Sequence, residues 1–152
     1  MQEEIIKQLE GCDSFDCIFS LVKESVRKTI GRDRAGLMLG LQNLGGTQSS
    51  WLGAYYPLHS NLIVMNQFPL KRMSDTSPEL VKPYVFSILL HEYLHSLGFI
   101  DESSVRKLTF DISKRILGLK HIATEMALDI TKFLPKMKFQ NIDCQIISRK
   151  FI

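Results

Sequence analysis

One pentapeptide restricts what this chain can be. His91-Glu92-Tyr93-Leu94-His95 lies inside the most apolar stretch, Tyr84 to Ile100. That stretch is too short and too polar to span a bilayer. Pro78 and Pro83 bracket a helix start, and Pro83 is tolerated only in the first turn. The pattern predicts a helix from near Lys82 to Leu97, ended by Gly98. On a helix, positions i and i+4 lie on one face, one turn apart. His91 and His95 can therefore aim two imidazoles at one ion. Glu92, beside the first of them, can reach a metal-bound water without ligating the metal. Two His ligands plus a Glu base is the arrangement of zinc peptidases.

A catalytic zinc usually takes three protein ligands and leaves one position for water. Gly98 can adopt a left-handed conformation and turn the chain back. This brings Asp101 towards the same ion, and a carboxylate is an acceptable zinc ligand. Two neutral imidazoles and one carboxylate leave the site with a formal charge of +1, which is compatible with water activation. Glu102, Glu125 and His121 are the other candidates for the third position. Asp101 can also serve as N-cap of the next helix, and His121 as an oxyanion donor.

The run His91-Glu92-x-x-His95-x-x-Gly98-x-x-Asp101 resembles the signature of the Asp-zincins, which are similar to metzincins with Asp in place of the third His. It also resembles the small bacterial and archaeal minimal zincins. The resemblance covers about eleven residues of the 152. It implies His91, His95 and Asp101 as ligands of one zinc ion, Glu92 as general base and acid, and Gly98 as the turn glycine. It further implies a short sheet, then the active-site helix, then more helices. Metzincins carry a methionine turn, often with Tyr two residues later. Met126 and Met137 are the candidates here, but Leu128 and Phe139 follow at that offset. Met126 shares helical spacing with Ile122 and Ile130, which points to the core. A second resemblance is to the bacterial rRNA-maturation endonucleases, with His-Gly-x-Leu-His-x-x-Gly-x-x-His. The chain shares His91, Leu94, His95 and Gly98 with them and departs at Glu92 and Asp101. A metal-dependent RNA hydrolase and a catalytically silent, zinc-containing peptide-binding module are therefore the rival classes.

The remaining chain reads as one α+β domain over residues 1–152, with a small mixed sheet preceding the active-site helix. Hydrophobic residues make up 45% and charged residues 23%, which excludes a disordered or collagen-like chain. Met1 to Glu10 reads as a short frayed helix, ended by Gly11. A stronger helix spans about Phe15 to Ile30, N-capped by Asp13 or Ser14 and closed by Gly31. Gly36 to Gln42 is a short apolar run rich in Gly and Leu, Trp51 to Tyr56 and Leu62 to Met65 read as strands, and a sheet of three or so strands is expected. Tyr55, Tyr56 and Trp51 read as packing residues, and His59 lies in a turn. Ser74 to Pro78 reads as a loop. Later helices are expected at Ser103 to Leu117 and His121 to Phe133.

The net charge of +3 is mildly basic and does not by itself indicate nucleic-acid binding. The basic tail from Lys132 to Ile152 reads as a solvated edge, with an anchor for an acidic partner as the sharper alternative. Without a visible signal peptide, the expected compartment is cytoplasmic and Cys12, Cys17 and Cys144 are expected as reduced thiols. No membrane partner is expected. The function these features imply is zinc-dependent peptide hydrolysis. The substrate would be an extended peptide or protein segment pairing with an edge strand, for which Leu62 to Met65 is the candidate.

Overall fold

The computed structural model describes residues 2–47 and 50–136. The described residues form six α-helices and one small mixed sheet, the expected α+β class. Helix α1 spans Gln2–Glu10 and buries Ile5 and Leu9, packing against α5, so it is a seated element rather than a frayed one. Helix α2 spans Phe15–Ile30. The Ser14 side chain accepts the Cys17 N–H at its start, and Gly31, at φ 67°, closes it in the left-handed conformation that glycine adopts without strain.

Cys12, after α1, and Cys17, in the first turn of α2, are disulfide-bonded, with Cα atoms 5.6 Å apart. This corrects the expectation of reduced thiols for these two. The turn between the helices brings their Cβ atoms within bridging range, which five-residue spacing alone does not reveal. Cys144, Met137 and most of the basic tail lie outside the described residues.

Strand β1 spans Met38–Gln42, β2 Ala54–Tyr55 and β3 Leu62–Asn66. Their order is β1-β3-β2, with β1 parallel and β2 antiparallel to β3. The strand expected at 51–56 is thus much shorter. Buried Asn66 explains why. Its Nδ2 donates to the Leu52 and Gly45 carbonyls at 2.7 and 3.0 Å, and its Oδ1 accepts the Leu44 and Phe68 N–H groups. A side chain satisfies the backbone there, so ladder pairing starts only at Ala54. The same side chain caps α3, Gln67–Thr76. That helix is absent from the sequence expectations. Pro69 suggests a break, but it sits in the first turn, where its missing N–H costs nothing.

A 3₁₀ turn, Pro78–Leu80, leads into α4, Val81–Ser96, with Pro83 in the first turn as expected. Val85, Phe86, Leu89, Leu90, Tyr93 and Leu94 of α4 are all fully buried. A helix with no exposed residue along its length must be central, and α4 packs against α2, α5, α6 and the sheet. Helix α5 spans Glu102–Leu117 and α6 Ile122–Leu128. The expected helix to Phe133 breaks at Asp129, whose carboxylate accepts the Thr131 N–H and hydroxyl and starts a 3₁₀ segment, Ile130–Lys136. Among the described residues, no helix is long and apolar enough to cross a membrane.

Candidate metal centre

His91 and His95 sit one turn apart on the last two turns of α4, with ring centroids 5.0 Å apart. Among the described residues, His91, Glu92 and His95 form a group whose potential ligand atoms all lie within 4.8 Å of one another, close enough to hold a metal ion. The three residues that the sequence singled out are thus brought together.

The helix ends in a tight turn. Leu97, Gly98 and Phe99 donate their N–H groups back to Tyr93, His95 and Leu94 carbonyls. Gly98 takes φ 105°, a conformation costly for any residue with a Cβ. The reversal returns the Phe99 carbonyl to His95, 2.8 Å from Nδ1. A carbonyl oxygen only accepts, so Nδ1 carries the hydrogen. In the neutral ring this leaves the Nε2 lone pair free for a ligand.

Both Nε2 atoms face a third group, the carboxylate of Glu102. Its Oε1 lies 3.0 Å from His91 Nε2 and 2.7 Å from His95 Nε2. Asp101, the expected third ligand, is turned elsewhere. Its Oδ2 accepts the Ser104 N–H, the Ser104 hydroxyl and the Ser103 hydroxyl, which caps α5. The reason lies in neighbouring geometry. Asp is the right length to cap from position 101, and Glu102, in the first turn of α5, is one methylene longer and reaches back to the pair. His121 and Glu125 belong to the α6 end and, like Asp101 and Glu102, are not among the three grouped residues; Glu102 is set apart by its contacts to both histidines. His121 caps α6, with Nδ1 accepting the Ala123 N–H, and faces a separate cavity of about 610 Å³ with Ile6, Leu9 and Lys82. Met126 is a core residue, as its spacing predicted.

The charges suit a cation. Burial pushes the His91 imidazole below its usual pKa against the pull of Glu102, so it favours the neutral, ligating form. Partial burial pushes Glu102 up, but hydrogen bonds from His91 and His95 outweigh it and hold its carboxyl below the usual range. Glu92 is only 9% exposed, and burial raises its carboxyl to about 7. Two imidazoles and a carboxylate are donors that zinc and similar divalent ions accept.

The open side of the site is a cleft of about 340 Å³, where Glu92, His95 and Glu102 meet Ala54, Tyr55 and Leu58. Strand β2 forms its wall and is the sheet edge on this side. Leu62 to Met65 lies in β3, which is paired on both flanks. This corrects the expected edge strand: β3 is the central strand, paired with β1 along its length and with β2 at Val64 and Met65. Gly53 lets β2 come down onto α4: a Cβ there would stand 2.9 Å from Ile88 Cδ1 and 3.2 Å from the Tyr84 hydroxyl. That hydroxyl accepts the Trp51 indole N–H, so Trp51 is packing, as expected.

Tyr56 does more than the strand packing expected of it. Its hydroxyl donates to the Ser60 carbonyl and accepts from Arg34. Arg34 also donates to the Ser60 and Ser96 carbonyls, at 2.7 Å each. It thus ties the 57–60 turn, which carries Leu58 and His59, to the end of α4. Nothing in the sequence marks Arg34, because its partners are 22 to 62 residues away.

No protein-family model, curated protein or solved structure matches the chain.

Proposed function

We propose that the protein is a zinc-dependent metallopeptidase in which His91, His95 and Glu102 hold the ion and Glu92 is the general base. The observation that carries this reading is the convergence of two imidazole Nε2 atoms on one carboxylate oxygen, beside a second, buried carboxylate. His95 Nε2 and Glu102 Oε1 stand only 2.7 Å apart, and a contact that short needs either a proton on the nitrogen or a cation between the two. An ion of the zinc type, held there, lowers the pKa of a bound water and polarises a peptide carbonyl.

The chain's own residues do the rest. The Phe99 carbonyl orients His95 and makes its ring more basic. Glu92 takes a proton from the attacking water at its carboxylate and delivers it to the leaving amine. The edge of β2 offers main-chain pairing to an extended segment, and Leu52, Leu58 and Ile100, all more than half exposed, present apolar surface around it. Asp101 is the competing ligand. It would need to leave its three hydrogen bonds at the α5 cap.

The test is hydrolysis of an unstructured polypeptide by the zinc-loaded protein. The expected result is cleavage abolished by a chelator, restored by zinc, and reduced about 10²–10⁴-fold in Glu92→Gln. Full activity in a zinc-loaded Glu92→Gln variant would contradict the assignment of Glu92. Zinc binding with no cleavage of any extended substrate would favour the silent peptide-binding module.

A further inference from the structure

We infer that Arg32 is a positioning residue for the metal centre, setting the His95 ring through the turn that follows α4. The inference rests on the reading of His95 as a ligand. Gly31 ends α2 in the left-handed conformation and sends the chain across the end of α4. Asp33 of this segment accepts from the Tyr93 hydroxyl, and on either side of it Arg32 and Arg34 reach the carbonyls of that helix end. Each takes one terminal carbonyl: Arg32 Nη2 donates to Leu97 O and Arg34 Nη1 to Ser96 O, both at 2.7 Å. Cationic donors are well placed there, since the carbonyls of a last turn lack helical partners and carry the negative end of the helix dipole.

The two arginines then diverge. Arg34 reaches Tyr56 and Ser60 and holds the substrate-side wall. Arg32 stays on the turn, and its guanidinium lies over the Phe99 ring, 5.3 Å from the centroid. Arg32 therefore grips the turn on both sides of Gly98: the carbonyl before it and the aromatic ring after it. Phe99 is the residue whose carbonyl accepts His95 Nδ1–H at 2.8 Å. Gly98 supplies the turn with no side chain to brace it, and a Cβ built there would meet no atom within 4 Å. The brace comes from Arg32. The consequence is support for the metal ligand's outer partner, the Phe99 carbonyl, from a side chain that does not touch the histidine and whose carbonyl partner, Leu97, lies 65 residues further along the chain.

Outer partners of ligating histidines typically change metal affinity 10–100-fold when removed. The experiment is a competitive zinc titration of the wild type, Arg32→Ala and Arg32→Lys, with thermal unfolding of the metal-free proteins and ¹⁵N spectra of the His95 ring. Lys can still reach the Leu97 carbonyl but lacks the flat face that stacks on Phe99. The expected result is zinc affinity about tenfold weaker in Arg32→Ala, partial recovery in Arg32→Lys, and an unchanged unfolding midpoint. In the metal-free protein the His95 Nδ1–H, held by the Phe99 carbonyl, should exchange with solvent faster in Arg32→Ala than in the wild type. Affinity within twofold of a zinc-binding wild type would overturn the inference and leave the metal reading standing. A wild type that binds no zinc would overturn the metal reading. In that case the ring spectrum still decides Arg32, and an unaltered Nδ1–H exchange in Arg32→Ala would overturn its role too. Should Arg32→Ala fail to fold, Arg32→Gln is read by the same criteria.

Discussion

The two sides of the candidate site are built on different principles. One side is α4, with fully buried Leu89, Leu90, Tyr93 and Leu94 around the metal-facing residues. The other is a two-residue edge strand and its flanking loops, where Leu52, Leu58 and Ile100 are 55%, 58% and 68% exposed. Close packing on the first side fixes rotamers and burial, so it can hold ligand geometry and raise the Glu92 pKa. The second side is held by a few polar anchors, chiefly Asn66 and Arg34. The difference teaches that, under the proposed function, the metal-facing residues and the peptide-facing edge are stabilised separately. Damage to the first side should register as lost stability, and damage to the second as altered binding.

The largest expected effect is on the packed side. Leu94→Ala removes a fully buried side chain beside the last turn of the metal helix and should cost about 2–5 kcal/mol in chemical denaturation. A loss below about 1 kcal/mol would mean that side is less tightly packed than described.

Next is the pH dependence of the metal-free protein. The folded Glu92 carboxyl, raised to about 7 from an ordinary 4.5, keeps a proton that the unfolded chain releases. The folded state then binds more protons in that window, so stability falls as pH rises from about 4.5 to about 7. Glu92→Gln cannot titrate and should lack this component. The variant should gain on the order of 2 kcal/mol relative to wild type between pH 4.5 and pH 8. Parallel pH profiles for the two proteins would contradict the burial argument.

Gly53→Ala tests the junction of the two sides. Its Cβ would press on Ile88 Cδ1, the movable end of a side chain, and on the Tyr84 hydroxyl held by Trp51. The expected cost is about 1 kcal/mol, with β2 displaced from α4 and peptide cleavage impaired more than zinc binding. Equal loss of both would show that the sides are coupled. The smallest stability effect should come from Leu58→Ala, within about 0.5 kcal/mol of wild type, with a raised KM for peptide as its signature. A clear drop in stability there would erase the contrast.

The packed side was also the more legible from sequence. The span of α4, the facing histidines and the Gly98 turn all follow from local spacing and from the rule that Pro83 must sit in a first turn. The choice between Asp101 and Glu102 did not. Adjacent carboxylates have the same local pattern, and one methylene decides which caps the helix and which reaches the histidines. The open side depends on distant partners. Parallel pairing of β1 with β3 makes β3 central, and no feature within Leu62 to Met65 announces a neighbour from 24 residues upstream. Likewise α3 was hidden because its cap, Asn66, is also the last residue of a strand, and the same side chain anchors a loop.

The most direct test of the central claim is zinc stoichiometry and affinity measured against a competing chelator, in wild type, His95→Ala, Glu102→Gln and Asp101→Asn. Asn retains the capping role at position 101, so that variant isolates ligation. The account predicts one zinc per chain in wild type and Asp101→Asn. Binding should weaken by more than about 100-fold in His95→Ala and Glu102→Gln, beyond the range for a lost outer partner. No zinc in the wild type, or binding lost with Asp101→Asn and kept with Glu102→Gln, would contradict it.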